Sequence, residues 1–186
     1  MKRILFVLIL IIVSASISSA QSRDMRRASR QLNRGNLDQA KEYIDAALEY
    51  EEVHDDPEIW ILQANLYMEI AMSEDPEYRA LAENPVDIAD EALRRAEELD
   101  TDDQHILELQ QANLIMSELV FNEGVEAYNR EDWAAASDYF FRSYQISEAF
   151  ESKDTTTLYN AALAAEFATE WEKARDMYLD LSEMEY

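Results

Sequence analysis

The chain has 186 residues, with 40 acidic residues against 16 basic ones, a formal net charge of −24 and no cysteine. So acidic a chain repels nucleic acid and anionic lipid and attracts basic partners, although the same charge also serves a solvated, soluble surface. Without cysteine no disulfide is possible, so packing alone must stabilise the fold. Only two glycines and three prolines interrupt a composition that favours helices.

The N-terminus has the pattern of a secretory signal peptide. A positively charged start precedes an unbroken apolar run over residues 4–13, and small residues lead up to Ala20. About ten apolar residues are too few to cross a bilayer, which takes roughly 20. We therefore expect cleavage after Ala20, so that residues 1–20 are the signal peptide. Residues 21–186 are then one periplasmic or secreted domain without stable membrane insertion. The alternatives are an uncleaved anchor and a buried core helix.

A side-chain pattern recurs four times along the rest of the chain. A bulky residue is followed after three positions by alanine, after four more by a large apolar residue, and after three more by a small or apolar residue. These offsets place all four side chains on one face of a helix, and the alanine lets a neighbouring helix approach closely. The copies are Leu37–Ala40–Ile44–Ala47, Val86–Ala89–Leu93–Ala96, Trp133–Ala136–Phe140–Ser143 and Trp171–Ala174–Tyr178–Leu181. Such recurrence indicates a helical repeat architecture.

Each of these helices is expected to pair with a helix that precedes it. Ala28, Gly124 and Ala162 lie twelve positions before the alanines of the first, third and fourth copies. In the second copy the partner helix is predicted over residues 58–71. Small residues on both facing helices suit a tight antiparallel hairpin. The sequence therefore predicts about four helical hairpins.

The copies are unevenly spaced, because their alanines lie 49, 47 and 38 residues apart. The first surplus falls in residues 72–85, where two prolines predict helix boundaries around one or two helical turns. The second surplus precedes the third copy, where residues 100–129 resemble one unusually long helix. The last few extra residues form a polar connector over 149–155.

These features resemble the tetratricopeptide repeat family. Its 34-residue motif has a bulky, a small and an aromatic residue in helix A, and alanine, an aromatic residue and alanine in helix B. The resemblance covers nearly all of residues 21–186, is best in the last two copies, and extends to exported tetratricopeptide proteins of Gram-negative bacteria. It implies an all-α fold, a right-handed superhelical solenoid of about four antiparallel helical hairpins. The sequence ends straight after a helix B, which leaves open an N-terminal part of a longer array or an exposed last helix.

The resemblance also implies where a partner binds. In tetratricopeptide solenoids the A helices line the concave face, and a protein or peptide lies across it. The residues expected to bind the partner are Asn65, Asn122, Val125, Tyr128, Asn129, Tyr159, Asn160 and Leu163. Ile61, Met68, Phe121 and Phe167 occupy further outward positions of the same helices. Asparagine amides can pair with both groups of an extended backbone, whereas the alternative for Phe121 and Tyr159 is packing against the adjacent repeat.

These outward positions contain no lysine or arginine, so an acidic C-terminal tail is a disfavoured ligand. We expect a neutral or basic extended segment, and a function as a scaffold for protein–protein interaction. The alternative is a component of an outer-membrane carbohydrate-uptake or envelope-assembly complex, because some glycan-binding proteins of the outer membrane are built on such repeats.

A basic stripe near the start of the domain is a second candidate surface. Arg23, Arg27, Arg30 and Arg34 follow helical spacing. They can grip phosphates or dock against an acidic neighbour. The alternative is pairing within the chain, with acids such as Asp38 or Glu42.

The sequence predicts no enzyme, no cofactor and no metal site. His54 and His105 are the only histidines, neither has a second histidine at helical spacing, and we expect both to be exposed beside helix boundaries. The acidic run 100–103 lacks the glycine and the distal glutamate of a calcium loop, and instead predicts a helix cap. Two glycines are too few for a phosphate-binding loop.

Overall fold

The computed structural model describes residues 23–149 and 154–184, and within these ranges the protein is all helical, as predicted. The described part of α1 covers residues 23–32. It is followed by α2 (Leu37–Leu48), a 3-10 helix (Glu51–Asp55), α3 (Pro57–Met72), α4 (Pro76–Arg79), α5 (Pro85–Leu99), α6 (Ile106–Asn129), α7 (Trp133–Glu148), α8 (Thr155–Phe167) and α9 (Trp171–Glu183). The predicted signal peptide lies outside the described residues. None of the described helices has both the length and the apolar character that a membrane crossing requires.

All three prolines of the chain occupy the first position of a helix, in α3, α4 and α5. Proline suits this position because its φ is already helical and no N–H is left unpaired. The carboxylates of Asp56 and Asp75 cap two of these helices by accepting from the backbone N–H of Glu58 and Glu77 at 3.0 and 2.8 Å. The short helix α4 confirms the predicted helical turn within residues 72–85.

Three hairpins share one turn conformation. Between α1 and α2, α6 and α7, and α8 and α9, one residue has a left-handed backbone: Gly35 (φ 73°), Glu131 (φ 63°) and Thr169 (φ 62°). Its N–H donates to the carbonyl three residues back, and the next N–H donates to the carbonyl five residues back, at 2.9–3.0 Å. The key alanine follows this residue by five positions in all three hairpins. The repeat predicted from side chains is therefore also present in the backbone of the turns.

The chain divides into two compact units, the first ending at Leu109 and the second beginning at Gln110. In the first unit α3 packs against α2, α4 and α5. Eight residues of α3 are buried, and they lie on almost every side of the helix. Two of them, Ile61 and Met68, are 6% and 2% exposed, so their predicted outward position is wrong. A helix that packs against three neighbours has too little free surface to present these side chains to a partner.

The second unit contains the two hairpins α6–α7 and α8–α9, with α8 packed against both α7 and α9. Its core combines buried alanines with the aromatic rings of Phe140 and Tyr144. Gly124 of α6 is buried, and a Cβ added there would lie 2.7 Å from the Phe140 ring. The close approach of the two helices thus depends on this glycine. The residue that fills the space is Phe140 rather than the predicted Ala136.

The recurring pattern lies on the buried faces of α2 and α5, where all four of its residues are buried. It also does so in α7, where only Trp133 is partly exposed. In α9 the first position departs from the prediction, because Trp171 is 62% exposed. The predicted long helix is confirmed by α6, which has 24 residues.

Candidate functional site

One side of α6 is exposed in the second unit. Asn122, Val125 and Asn129 follow offsets of three and four and are all exposed, whereas Gly124 and Ala127 on the other side are buried. We call Asn122, Val125 and Asn129 the α6 row. Two amides with an aliphatic side chain between them form this row.

A matching row lies on α8, 38 residues further along the chain. Asn160 and Leu163 are partly exposed, and Phe167 is 49% exposed. We call Asn160, Leu163 and Phe167 the α8 row. It repeats the order of the α6 row except at its last position, where a phenyl ring replaces an amide.

The amides of these rows have unused hydrogen-bonding capacity. Within the described ranges, no hydrogen bond engages the side chains of Asn122, Asn129 or Asn160. Each amide can accept through its oxygen and donate twice through its nitrogen. An extended backbone offers both kinds of partner, so the rows suit a peptide main chain. Asn65, the remaining predicted asparagine, is half-buried on α3 in the first unit.

The two tyrosines predicted at the site belong to different aromatic clusters. Tyr128 lies edge-on to Trp133 at 4.8 Å between ring centroids, and 6.3 Å from Phe167. Tyr159 lies 6.1 Å from Tyr178 of α9. Tyr159 precedes Phe167 by eight residues, which is about 12 Å along a helix. Tyr128 is therefore a packing residue at the turn end of the unit, while Tyr159, 37% exposed, lies beside the α8 row.

Trp133 is a packing residue whose role the sequence did not indicate. Its ring lies 5.2 Å from Phe167, so it packs between Phe167 of α8 and Tyr128 of α6. Trp133 is the first residue of α7 and directly follows the left-handed turn between α6 and α7. Phe167 is the last residue of α8 and directly precedes the equivalent turn between α8 and α9. The recurring pattern included Trp133, but nothing in the sequence indicated its contact with the next hairpin.

Acidic side chains surround the rows. Glu118 and Glu126 of α6 and Glu166 of α8 are all exposed, and among them Glu126 pairs with Arg130 at 3.5 Å. Glu166 accepts a hydrogen bond from the Tyr178 hydroxyl at 3.1 Å. Burial, followed by this hydrogen bond, raises the pKa of Tyr178 to about 12, so the hydroxyl keeps its proton. The surface is therefore negative at neutral pH.

The two histidines have structural contacts. The His54 ring lies 2.9 Å through Nε2 from the carbonyl of Leu48, and the indole N–H of Trp60 donates to the His54 carbonyl at 3.0 Å. The backbone N–H of His105, the residue before α6, donates to the Asp100 carboxylate at 3.0 Å. Both histidines lie at helix boundaries, but they are half-buried rather than exposed. Among the described residues, no three potential ligands form a metal site.

The predicted basic stripe is exposed at Arg23, Arg30 and Arg34, and Arg26 of α1 is exposed as well. Arg27, whose side chain is 43% exposed, pairs with Asp24 at 3.4 Å and lies 5.5 Å over the ring of Tyr43. Within the described part of the chain, no ion pair joins the four exposed arginines to an acid, so the alternative of pairing with Asp38 or Glu42 is not found.

Comparison with protein-family models, with curated proteins and with solved structures gives no match for this chain.

Proposed function

We propose that the protein is an exported scaffold of the tetratricopeptide type that binds an extended protein segment across the α6 and α8 rows. The observation that carries the proposal is the pair of rows, in which amides without partners alternate with apolar side chains. The role that we propose is binding rather than catalysis, because the charged groups around the two rows are carboxylates that lie apart from one another. Covalent catalysis needs a nucleophile beside a base that activates it.

The fold part of the proposal is supported by the hairpins themselves. Three of them have the same turn conformation. In the last two hairpins the left-handed turn residue, the key alanine and the exposed row are each separated by the same 38 residues. Solenoids are built by stacking copies of one structural repeat, which is the arrangement we propose here. Export is supported by the sequence of residues 1–20 alone.

The chemistry of binding follows from the two kinds of side chain. Asn122, Asn129 and Asn160 provide donors and acceptors for a peptide main chain, while Val125 and Leu163 contact its side chains. A single hydrogen bond of this kind contributes about 0.5–1.5 kcal/mol. Several bonds together with buried apolar area give specific but reversible binding.

Charge selects the partner. The exposed carboxylates around the rows repel an acidic segment, and no lysine or arginine lies within the rows to bind a terminal carboxylate. The ligand is therefore a neutral or basic extended segment, and neither nucleic acid nor anionic lipid.

Photo-crosslinking from a defined position tests the proposal. A photoreactive phenylalanine analogue replaces Asn160 in one variant and Glu42, an exposed residue of α2, in a control variant. Both proteins are irradiated in the cells that produce them. We expect one discrete protein adduct from position 160 that is absent from position 42. Identical adducts at both positions, or none at position 160, contradict the proposed surface.

A further inference from the structure

The first and last described helices expose opposite charges. Arg23, Arg26 and Arg30 form an exposed stripe on α1, and Arg34 follows in the turn. We call these four residues the basic face. Residues 23–34 contain five arginines and one acid, a formal net charge of +4, whereas the net charge of residues 35–186 is −30. The basic face is thus a local exception in a strongly acidic chain.

The exposed side of α9 combines acids with apolar side chains. Glu172, Asp176, Leu179 and Glu183 follow offsets of three and four and are all exposed, Leu179 by 55%. Trp171, 62% exposed, lies at the edge of this stripe. We call these five residues the acidic face. Large exposed apolar side chains beside charged ones are typical of a contact surface.

We propose that the basic face of one copy of this chain docks on the acidic face of a second copy, head to tail. Three arginines on one helix then meet the carboxylates of Glu172 and Glu183 on the other, together with that of Asp176, which also pairs with Arg175 of its own helix at 2.7 Å. Leu179 packs against the aliphatic stems of the arginines. This inference does not depend on the proposed peptide-binding function, because neither face includes the α6 or α8 row.

The chain already uses the contact that Trp171 offers. The Arg95 guanidinium lies 4.2 Å over the ring of Trp60, and that of Arg27 lies 5.5 Å over the ring of Tyr43. A guanidinium above an aromatic face is attracted by the electrons of the ring. An arginine of the basic face covers Trp171 of the second copy in the same way.

A second copy fits the basic face better than a polyanion does. Nucleic acid, an anionic bilayer and a second copy all meet the repulsive field of a chain with a net charge of −24, so short-range contacts at the basic face decide between them. A second copy presents acids of matching spacing with apolar groups between them. Because the two faces differ, the contact is heterologous and joins copies into a ring or an open chain.

Sedimentation of matched variants tests the proposal, with the protein purified after expression of the full-length sequence. One variant, Arg26→Gln with Arg30→Gln, removes charge from the basic face. The other, Asp176→Lys with Leu179→Lys, makes the acidic face repulsive. All four positions are exposed, so unchanged helicity and melting confirm folding. We expect the wild type to form species larger than a dimer at about 0.01 M salt and to dissociate at about 1 M, where the charges are screened.

Each variant alone is expected to remain monomeric, with association weakened at least tenfold. An equimolar mixture restores one contact, between the intact acidic face of the first variant and the intact basic face of the second, and therefore stops at a dimer. A monomeric wild type at low salt overturns the proposal. Association of the Arg26→Gln, Arg30→Gln variant that is as strong as that of the wild type also overturns the proposal, because the contact then lies away from α1. A mixture of the two variants that stays monomeric overturns it as well.

Discussion

The hairpins α6–α7 and α8–α9 have equivalent internal contacts but different neighbours. Each has an aromatic pair that joins its two helices: Phe121 with Phe140 at 5.3 Å, and Tyr159 with Tyr178 at 6.1 Å. Both pairs are related by the same shift of 38 residues. The contact between the two helices of each hairpin is therefore made by residues of that hairpin alone.

The tryptophans that begin the second helices differ. Trp133 packs between Tyr128 and Phe167, whereas Trp171, at the equivalent position, is 62% exposed. Phe167 belongs to the next hairpin along the chain. Equivalent residues thus differ in burial because Trp133 has Phe167 of the next hairpin beside it.

Overfilling a fully buried position in the first of these hairpins has the largest expected effect. Ala136 is fully buried, so Ala136→Arg overpacks the contact between helices and buries an unpaired charge. We expect a loss of at least about 3 kcal/mol in the free energy of unfolding, measured by urea denaturation. The control is Ala134→Arg, at an exposed position of the same helix, with an expected change within about 0.5 kcal/mol. Equal stability of both variants contradicts the assigned faces of α7.

Truncating the two tryptophans tests the comparison itself. Trp133→Ala removes two aromatic contacts and partly buried area, and should cost about 2 kcal/mol. Trp171→Ala should cost less than about 0.5 kcal/mol under conditions in which the protein is monomeric. Thermal and urea unfolding measure both. Similar losses for the two variants mean that Trp171 is packed like its counterpart.

Relieving the turn strain gives a smaller effect of opposite sign. Thr169 is β-branched and has φ 62°, a conformation that glycine adopts without steric cost. Thr169→Gly should therefore raise the free energy of unfolding by up to about 1 kcal/mol, and Glu131→Gly by less, since glutamate is not β-branched. Gly35→Ala, which introduces the strain, should lower it. A destabilised Thr169→Gly variant excludes the assigned turn.

The smallest effect appears only at alkaline pH. The pKa of Tyr178 is raised to about 12 by burial, whereas in the unfolded chain it is near 10. The folded state therefore holds its proton more strongly, so this stabilisation is complete below pH 10 and is lost as the pH rises towards 12. Tyr178→Phe should flatten that part of the stability curve. An unchanged slope between pH 10 and 12 means that the hydroxyl is not buried against Glu166.

Much of the fold was predictable, because its determinants are local. Proline positions mark three helix starts, and the offsets of the alanine pattern fix the buried faces of α2, α5 and α7. The errors arise where burial depends on neighbours. Ile61 and Met68 lie on a helix with three packing partners, and Trp171 on one whose outer side is open. Helical periodicity does not contain that information.

The candidate site was predictable only as sets of positions on helices. The exposed amides of Asn122 and Asn129 follow from helix geometry. The separation of Tyr128 from Tyr159 does not, because it depends on rings supplied by Trp133, Phe167 and Tyr178. The contact of Arg27 with the ring of Tyr43 on the next helix was likewise not contained in helical spacing.

The most direct test of the central claim uses the protein segment that is captured by photo-crosslinking from position 160, made as a synthetic peptide. Its affinity is measured for the wild type and for the double variant Asn129→Ala with Asn160→Ala. Loss of two hydrogen bonds should weaken binding about tenfold or more without changing the melting temperature. Asn33→Ala, an exposed asparagine in the first turn, is the matched control and should bind as the wild type does. Full affinity of the double variant would contradict binding across the α6 and α8 rows.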